Sequence, residues 1–131
     1  MSEIKPAVVK AIEEIRSTFP DQQVECYADG SGGGFVVVRS LPLIPPYAQA
    51  ETWVGFQITF PYPYADVYPH FVRPDLSRTD GKALGDGFSS PAQFRGQPAI
   101  QISRRSNKLN PATDTACLKL LKILQWMKTR P

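Results

Sequence analysis

A proline-rich segment in the middle of the chain restricts the possible folds more than any other stretch. Residues 61–74, PYPYADVYPHFVRP, contain four prolines and three tyrosines. Because proline lacks the backbone N–H and clashes with a preceding helical turn, this segment cannot form a helix and is predicted not to pair as a central strand. We expect a rigid connection whose tyrosine rings cover one end of the core, with His70 as a structural residue beside them.

The chain before this connection is predicted to form one helix and three antiparallel strands. Apolar residues recur at three- and four-residue intervals as far as Thr18, which is the spacing of an amphipathic helix, and Phe19-Pro20 ends it. Two strand-like stretches then flank the glycine run GSGGG, and a third follows. Because Gly34 leads into a strand instead of a helix, the glycine run is not predicted to bind phosphate. The predicted helix covers residues 2–18, and the predicted strands cover residues 23–29, 34–41 and 52–60.

A long loop, a short strand and a second helix are predicted after the connection. Residues 75–97 are rich in Gly, Ser and Asp and lack periodicity, which is typical of a functional or mobile loop. Alternation in AIQI, residues 99–102, predicts a strand whose two isoleucines face the core. Ala99, Gln101 and Ser103 are then expected to face the loop.

The final helix is predicted to begin at Asn110-Pro111, because asparagine is a good N-cap and proline suits the first helical position. Lys119 and Lys122 are expected to point to water. The predicted buried stripe of this helix is Cys117, Leu120, Leu121, Leu124 and Met127. These elements predict a single α+β domain over residues 1–131, with an N-terminal helix, an antiparallel meander sheet of about four strands and a C-terminal helix packed on the sheet.

Composition and charge exclude several classes of function. The chain has 131 residues, of which 42% are hydrophobic, so it can bury one core, and its net charge of +3 permits an acidic partner. Its two cysteines, Cys26 and Cys117, and its single histidine are too few for a zinc or iron centre, so we expect neither a metal nor a cofactor. The basic residues do not alternate with aromatic residues, so nucleic-acid binding is not expected. The N-terminal stretch carries acidic side chains and no long apolar run, which predicts a cytoplasmic protein without a signal peptide or a membrane span.

The order of these elements and two short motifs resemble the ubiquitin-conjugating enzyme family. The resemblance covers nearly the whole chain: a helix, a three-stranded meander, a proline-rich segment, an irregular stretch, a short strand and a helix opened by proline. The first motif is ITFP, residues 58–61, followed by Tyr68-Pro69. The second is NPATDTACLKLLKIL, residues 110–124, which is similar to the family's Ser-Pro-Ala-opened helix after its catalytic loop. The family's His-Pro-Asn motif is missing and the Phe-Pro to Tyr-Pro spacing is longer than usual, so the chain is more similar to minimal bacterial relatives from antiphage conjugation operons of the CBASS type.

Ala99 stands where the resemblance puts the catalytic cysteine of the family. That cysteine is followed by an apolar residue, any residue and another apolar residue, as Ala99 is here, although Pro111 of the next helix lies slightly further away. The resemblance implies an enzyme that carries an acyl C-terminus as a thioester at position 99 and passes it to a target amine. Its implied partners are a ubiquitin-like modifier or the C-terminus of a target protein, an activating enzyme and a target protein. The residues expected to bind substrate or partner are Gln101, Ser103, Arg104, Arg105 and Lys108, although the basic members equally suit a solvated loop.

Alanine cannot form a thioester, so three explanations of Ala99 stay open. Ala99 suggests an inactivated Cys-to-Ala form of the enzyme; alternatively, the protein is a natural, catalytically inert adaptor of the same fold that binds partner proteins. In the third explanation Ser90 or Ser103 acts through an oxyester, although no base is visible near either one in the sequence. Cys117 is not a substitute because it is expected to be buried. Outside the family, the chain would be an unrelated α+β binding module whose residues 61–98 line a groove.

Overall fold

The computed structural model describes residues 4–106 and 108–129, and these residues form two helices and one antiparallel sheet of six strands. In chain order the elements are α1 (Pro6–Thr18), β1 (Val24–Ala28), β2 (Gly34–Pro42), β3 (Glu51–Ile58), β4 (His70–Val72), β5 (Phe88–Phe94), β6 (Gln97–Ile102) and α2 (Ala116–Lys128). The strand order in the sheet is β1-β2-β3-β4-β6-β5. The α+β class is therefore confirmed, whereas the predicted strand number is too low.

The main core lies between the two helices and one face of the sheet. α1 begins at Pro6, which suits the first helical position, and buries Val8 and Ile15. These side chains belong to the same buried cluster as Phe56 of β3 and Leu120 of α2. Neither of the two described helices is long and apolar enough to cross a membrane.

β4 is a central strand, although it lies inside the proline-rich segment. Phe71 pairs with Gly55 of β3 on one side and with Gln101 of β6 on the other. The prediction that residues 61–74 contain no central strand is therefore wrong for the three residues of β4. The reason is that the prolines flank this short ladder, so His70–Val72 keep every backbone N–H that pairing needs.

Residues 75–97 are not a loop throughout, because β5 lies within them. β5 forms a hairpin with β6, and its turn residues, Arg95 and Gly96, have φ of 51° and 80°. Positive φ at both central positions is typical of a tight type I′ hairpin turn. The sequence FSSPAQF does not look like a strand because it contains Pro91, which is tolerated here at the sheet edge beside a shift of register.

The β5–β6 hairpin curls over the second face of the sheet. The Phe94 ring lies on Gly55 of β3, where a Cβ would come within 2.6 Å of Phe94 Cε2. At the hairpin tip, the guanidinium carbon of Arg95 lies 3.9 Å from the ring centroid of Tyr27, which belongs to β1 at the opposite edge of the sheet. The other aromatic neighbours of Phe94 are Phe35, Trp53 and Phe71. The second face therefore has its own apolar cluster beneath the hairpin.

α2 begins later than predicted, at Ala116. Thr115 is its N-cap, and the Thr115 hydroxyl accepts a hydrogen bond of 3.1 Å from Leu118 N. Asn110 instead belongs to a separate turn, in which its backbone N–H donates to Asp114 Oδ2 at 2.8 Å. The prediction of Asn110 as the helix cap is therefore wrong. The polar groups of Asn110 are hydrogen-bonded within its own turn, and Thr115 caps the helix instead.

Candidate partner-binding site

Ala99, the position expected for a nucleophile, is buried on the second face of the sheet. Its side chain is 3% exposed and belongs to a cluster with Val37 and with Phe94 of the hairpin. The alternation predicted for β6 is confirmed, since Ile100 and Ile102 belong to the main core on the other face. Residue 99 is therefore closed to solvent by its own hairpin.

The two serines considered as nucleophiles lie in ordinary surroundings. Ser103 N donates to Gly87 O at 2.8 Å, and Ser103 Oγ accepts from the Gln101 side-chain amide at 3.0 Å. An amide is not a base, so this contact does not activate the hydroxyl. Ser90 is exposed on the edge strand β5.

Neither cysteine is prepared for nucleophilic attack. Cys117 is 3% exposed, and burial raises the pKa of its thiol, with Thr18 Oγ1 3.3 Å from its sulfur. Cys26 is half-buried, and burial likewise raises its thiol pKa. Because the thiolate is the reactive form, both groups suit packing rather than catalysis.

A partly buried charge network joins α2 to the loop after β6 and to the proline-rich segment. Lys119 Nζ donates to both carboxylate oxygens of Asp66 at 3.1 Å and to Ser106 Oγ at 2.9 Å. Asp66 also accepts from Ser106 N at 2.7 Å and from Ser106 Oγ at 2.8 Å. Burial opposes ionisation of Asp66, but the hydrogen bonds from Ser106 and Lys119 outweigh it and lower the carboxyl pKa. The network therefore fixes the position of Ser106, which directly follows Arg104 and Arg105.

The burial of Lys119 corrects the predicted faces of α2. Lys119 is 7% exposed and does not point to water, whereas Leu121 is 40% exposed and is not in the buried stripe. The residues that α2 buries are Ala116, Cys117, Lys119, Leu120, Ile123 and Met127. The prediction failed because the lysine finds its carboxylate 53 residues away in the sequence, a partner that helical spacing cannot reveal.

His70 is fully buried, and neither ring nitrogen has a hydrogen-bond partner in the described part of the chain. Its ring centroid lies 5.0 Å from that of Phe56. Burial, with a smaller effect of the positive charge on Lys119, lowers the pKa of the imidazole to about 3. The imidazole is therefore neutral and enclosed in the core, where it cannot reach an external substrate.

A basic cleft of about 270 Å³ lies beside this network, between α2 and the loop after β6. The guanidinium carbon of Arg104 lies 5.2 Å from the Trp126 ring centroid, and that of Arg105 lies 3.9 Å from the Tyr68 ring centroid. A guanidinium that stacks on an aromatic face keeps its N–H edges available for a carboxylate. Lys119 and Lys122 bring the cations in the lining to four, and the lining also includes the carboxylate of Asp114. The arrangement suits a carboxylate that enters from solvent.

The cleft contains two of the predicted site residues together with residues of α2 that were not predicted as site residues. Arg104 and Arg105 are joined by Lys122 and Trp126 of α2, which follow Lys119 at helical intervals and so share its side of the helix. The predicted site residues outside its lining are Ala99, Gln101, Ser103 and Lys108. Ala99 is separated from the cleft by the sheet itself, since α2 covers the opposite face.

Comparison with protein-family models, with curated proteins and with solved structures found no match to the chain. The described residues also contain no group of three or more His, Cys, Asp or Glu side chains that could hold a metal ion.

Proposed function

We propose that the chain is a catalytically inert adaptor of ubiquitin-conjugating-like fold that binds a partner protein. The observation that carries this proposal is the 3% exposure of Ala99 beneath the β5–β6 hairpin. A thioester carrier needs a side chain that an activating enzyme can load and a target amine can then attack. A cysteine at position 99 would lie in the apolar cluster with Phe94 and Val37, where burial disfavours the thiolate.

The basic cleft is the surface that we assign to the partner. Its four cations, and the Trp126 and Tyr68 rings on which its two arginines stack, suit carboxylates more than any other common protein group. The carboxylate comes either from an acidic segment or from the free C-terminus of the partner protein. Because Ser106 is tied to Asp66 and Lys119, the preceding arginines are held in place before binding, which reduces the ordering cost.

Thiol labelling separates the adaptor from the enzyme. Ala99→Cys is expected to react slowly with maleimide in the folded protein, while the matched variant Arg104→Cys, at an exposed position, reacts fast. Site-resolved mass spectrometry distinguishes both from Cys26 and Cys117. The adaptor proposal fails if Ala99→Cys reacts as fast as Arg104→Cys and forms a reductant-sensitive adduct with a ubiquitin-like modifier, an activating enzyme and ATP.

Peptide binding tests the cleft directly. One probe is a glutamate-rich peptide with an amidated C-terminus, and the other is an uncharged peptide that ends in a free carboxylate. Arg104→Ala/Arg105→Ala is expected to lower the affinity for whichever probe binds at least about tenfold. Lys10→Ala, which removes an exposed cation on α1, is expected to leave the affinity unchanged. Preference for one probe identifies the carboxylate source, and failure of both to bind excludes the cleft as the partner site.

A further inference from the structure

An apolar groove of about 640 Å³ runs along α2 on a side that the basic cleft does not occupy. Its walls come from α2, from the segment that follows α1, and from the end of β2 with the segment after it. The apolar and aromatic side chains in its lining include Phe19, Leu41, Ile44, Tyr47, Leu118 and Leu121. The groove shares only Lys122 with the lining of the cleft.

The groove combines a firm floor with an exposed apolar rim. Leu41 and Met127 are 3% and 1% exposed, and the Tyr47 hydroxyl donates to Met127 O at 2.8 Å, which ties the segment after β2 to α2. Ile44, Leu118 and Leu121 are 48%, 45% and 40% exposed. These three exposed apolar side chains line the same groove, and a contiguous exposed apolar patch is typical of an interaction site. The rim is therefore a candidate contact surface on a floor that is already packed.

The shape of the groove suits a helix. Leu118 and Lys128 mark its extent along α2, and ten helical residues span about 15 Å, or nearly three turns of a bound helix. Apolar side chains at helical intervals on the partner would contact Leu118 and Leu121.

The charge of the groove selects among such helices. Its two charged lining residues, Lys122 and Lys128, are both cations, and they stand six residues apart on α2, about 9 Å along its axis. A partner helix with acidic residues beside its apolar face would pair with both lysines, and one with basic flanks would be repelled. We infer that this groove binds an amphipathic helix of a partner protein whose apolar face is flanked by acidic residues.

Two matched peptides test this inference. Both have about 16 residues with leucines at i, i+3, i+4 and i+7, and the flanking positions hold glutamate in one and lysine in the other. Fluorescence anisotropy is expected to show that the glutamate peptide binds the full chain at least about tenfold more tightly than the lysine peptide. Leu118→Ala/Leu121→Ala should weaken the glutamate peptide at least about tenfold, while Val9→Ala, which removes an exposed apolar side chain of α1, should change nothing. Lys122→Glu/Lys128→Glu should reverse the preference.

Several results would overturn the inference. Equal affinity for both peptides, binding that survives Leu118→Ala/Leu121→Ala, or no binding would each exclude the acid-flanked helix. Sedimentation that shows a dimer dissociated by Leu121→Ala would mean that a second copy covers the groove. The inference adds a surface to the proposed adaptor, and the two fail separately. If Arg104→Ala abolishes binding of the glutamate peptide and Leu118→Ala/Leu121→Ala does not, the peptide binds the cleft. If acidic peptides bind the cleft and no peptide binds the groove, only the inference about the groove is excluded.

Discussion

The ring of Phe94 lies directly on the backbone of Gly55, so that a Cβ at residue 55 would come within 2.6 Å of the ring. The ring is held there by Trp53 and Phe71, whose centroids lie 6.1 Å and 5.2 Å from its own. The absence of a side chain at Gly55 therefore lets Phe94, and with it the hairpin that buries Ala99, pack closely on β3.

Gly55→Ala is expected to lower the free energy of unfolding by about 1–3 kcal/mol, because the added methyl group displaces Phe94. In a Phe94→Ala background the same change is expected to be neutral or stabilising by up to about 1 kcal/mol, since glycine is less favourable than alanine within a strand. Urea unfolding of the four proteins in a double-mutant cycle measures the coupling. Equal destabilisation in both backgrounds would mean that the Phe94 contact is not the cause.

His70 is expected to make the protein less stable in mild acid. Its pKa is lowered from 6.5 to about 3 in the folded protein, mainly by burial. The unfolded chain takes up this proton below about pH 6.5 while the folded chain does not, so stability is complete above that pH and falls toward pH 3. Urea unfolding should show a loss of about 2 kcal/mol between pH 7 and pH 5. His70→Phe should abolish most of this loss, and an undiminished loss in the variant would assign it to other groups.

The parts of the fold that the sequence predicted are those with local periodicity. α1, the first three strands and the inward-facing isoleucines of β6 follow from helical or alternating patterns that need no distant partner. β5 was missed because its proline and serines resemble a loop, and only pairing with β6 makes it a strand. Sequence patterns carry no information about such pairing.

The candidate site was harder to predict because its features are non-local. The burial of Ala99 depends on Phe94 crossing the sheet over Gly55, which alternation along β6 does not reveal. The fixed loop beside the cleft depends on Lys119 reaching Asp66. Arg104 and Arg105 were predicted from their charge and from their place just after position 99, whereas the aromatic rings on which they stack belong to other elements of the fold.

Lys119→Met is expected to lower the free energy of unfolding by about 1–3 kcal/mol, because it leaves the partly buried carboxylate of Asp66 without its cation. Asp66→Asn/Lys119→Met should cost less than the sum of the single changes. Arg39→Met is the control, since it breaks a more exposed ion pair with Glu25 and should have a smaller effect. Additive single effects at residues 66 and 119, measured by urea unfolding, would contradict a coupled network.

Thr115→Ala is expected to destabilise the protein by about 1 kcal/mol, because it removes the hydroxyl that accepts from Leu118 N at the start of α2. Thr115→Ser keeps that hydroxyl and should retain most of the stability. Amide hydrogen exchange gives a local measurement: Thr115→Ala should accelerate exchange at Leu118, while Asn110→Ala should not, because Asn110 belongs to the preceding turn. If Asn110→Ala accelerates amide exchange at Leu118 and Thr115→Ala does not, Asn110 is the N-cap of α2, as the sequence alone predicts.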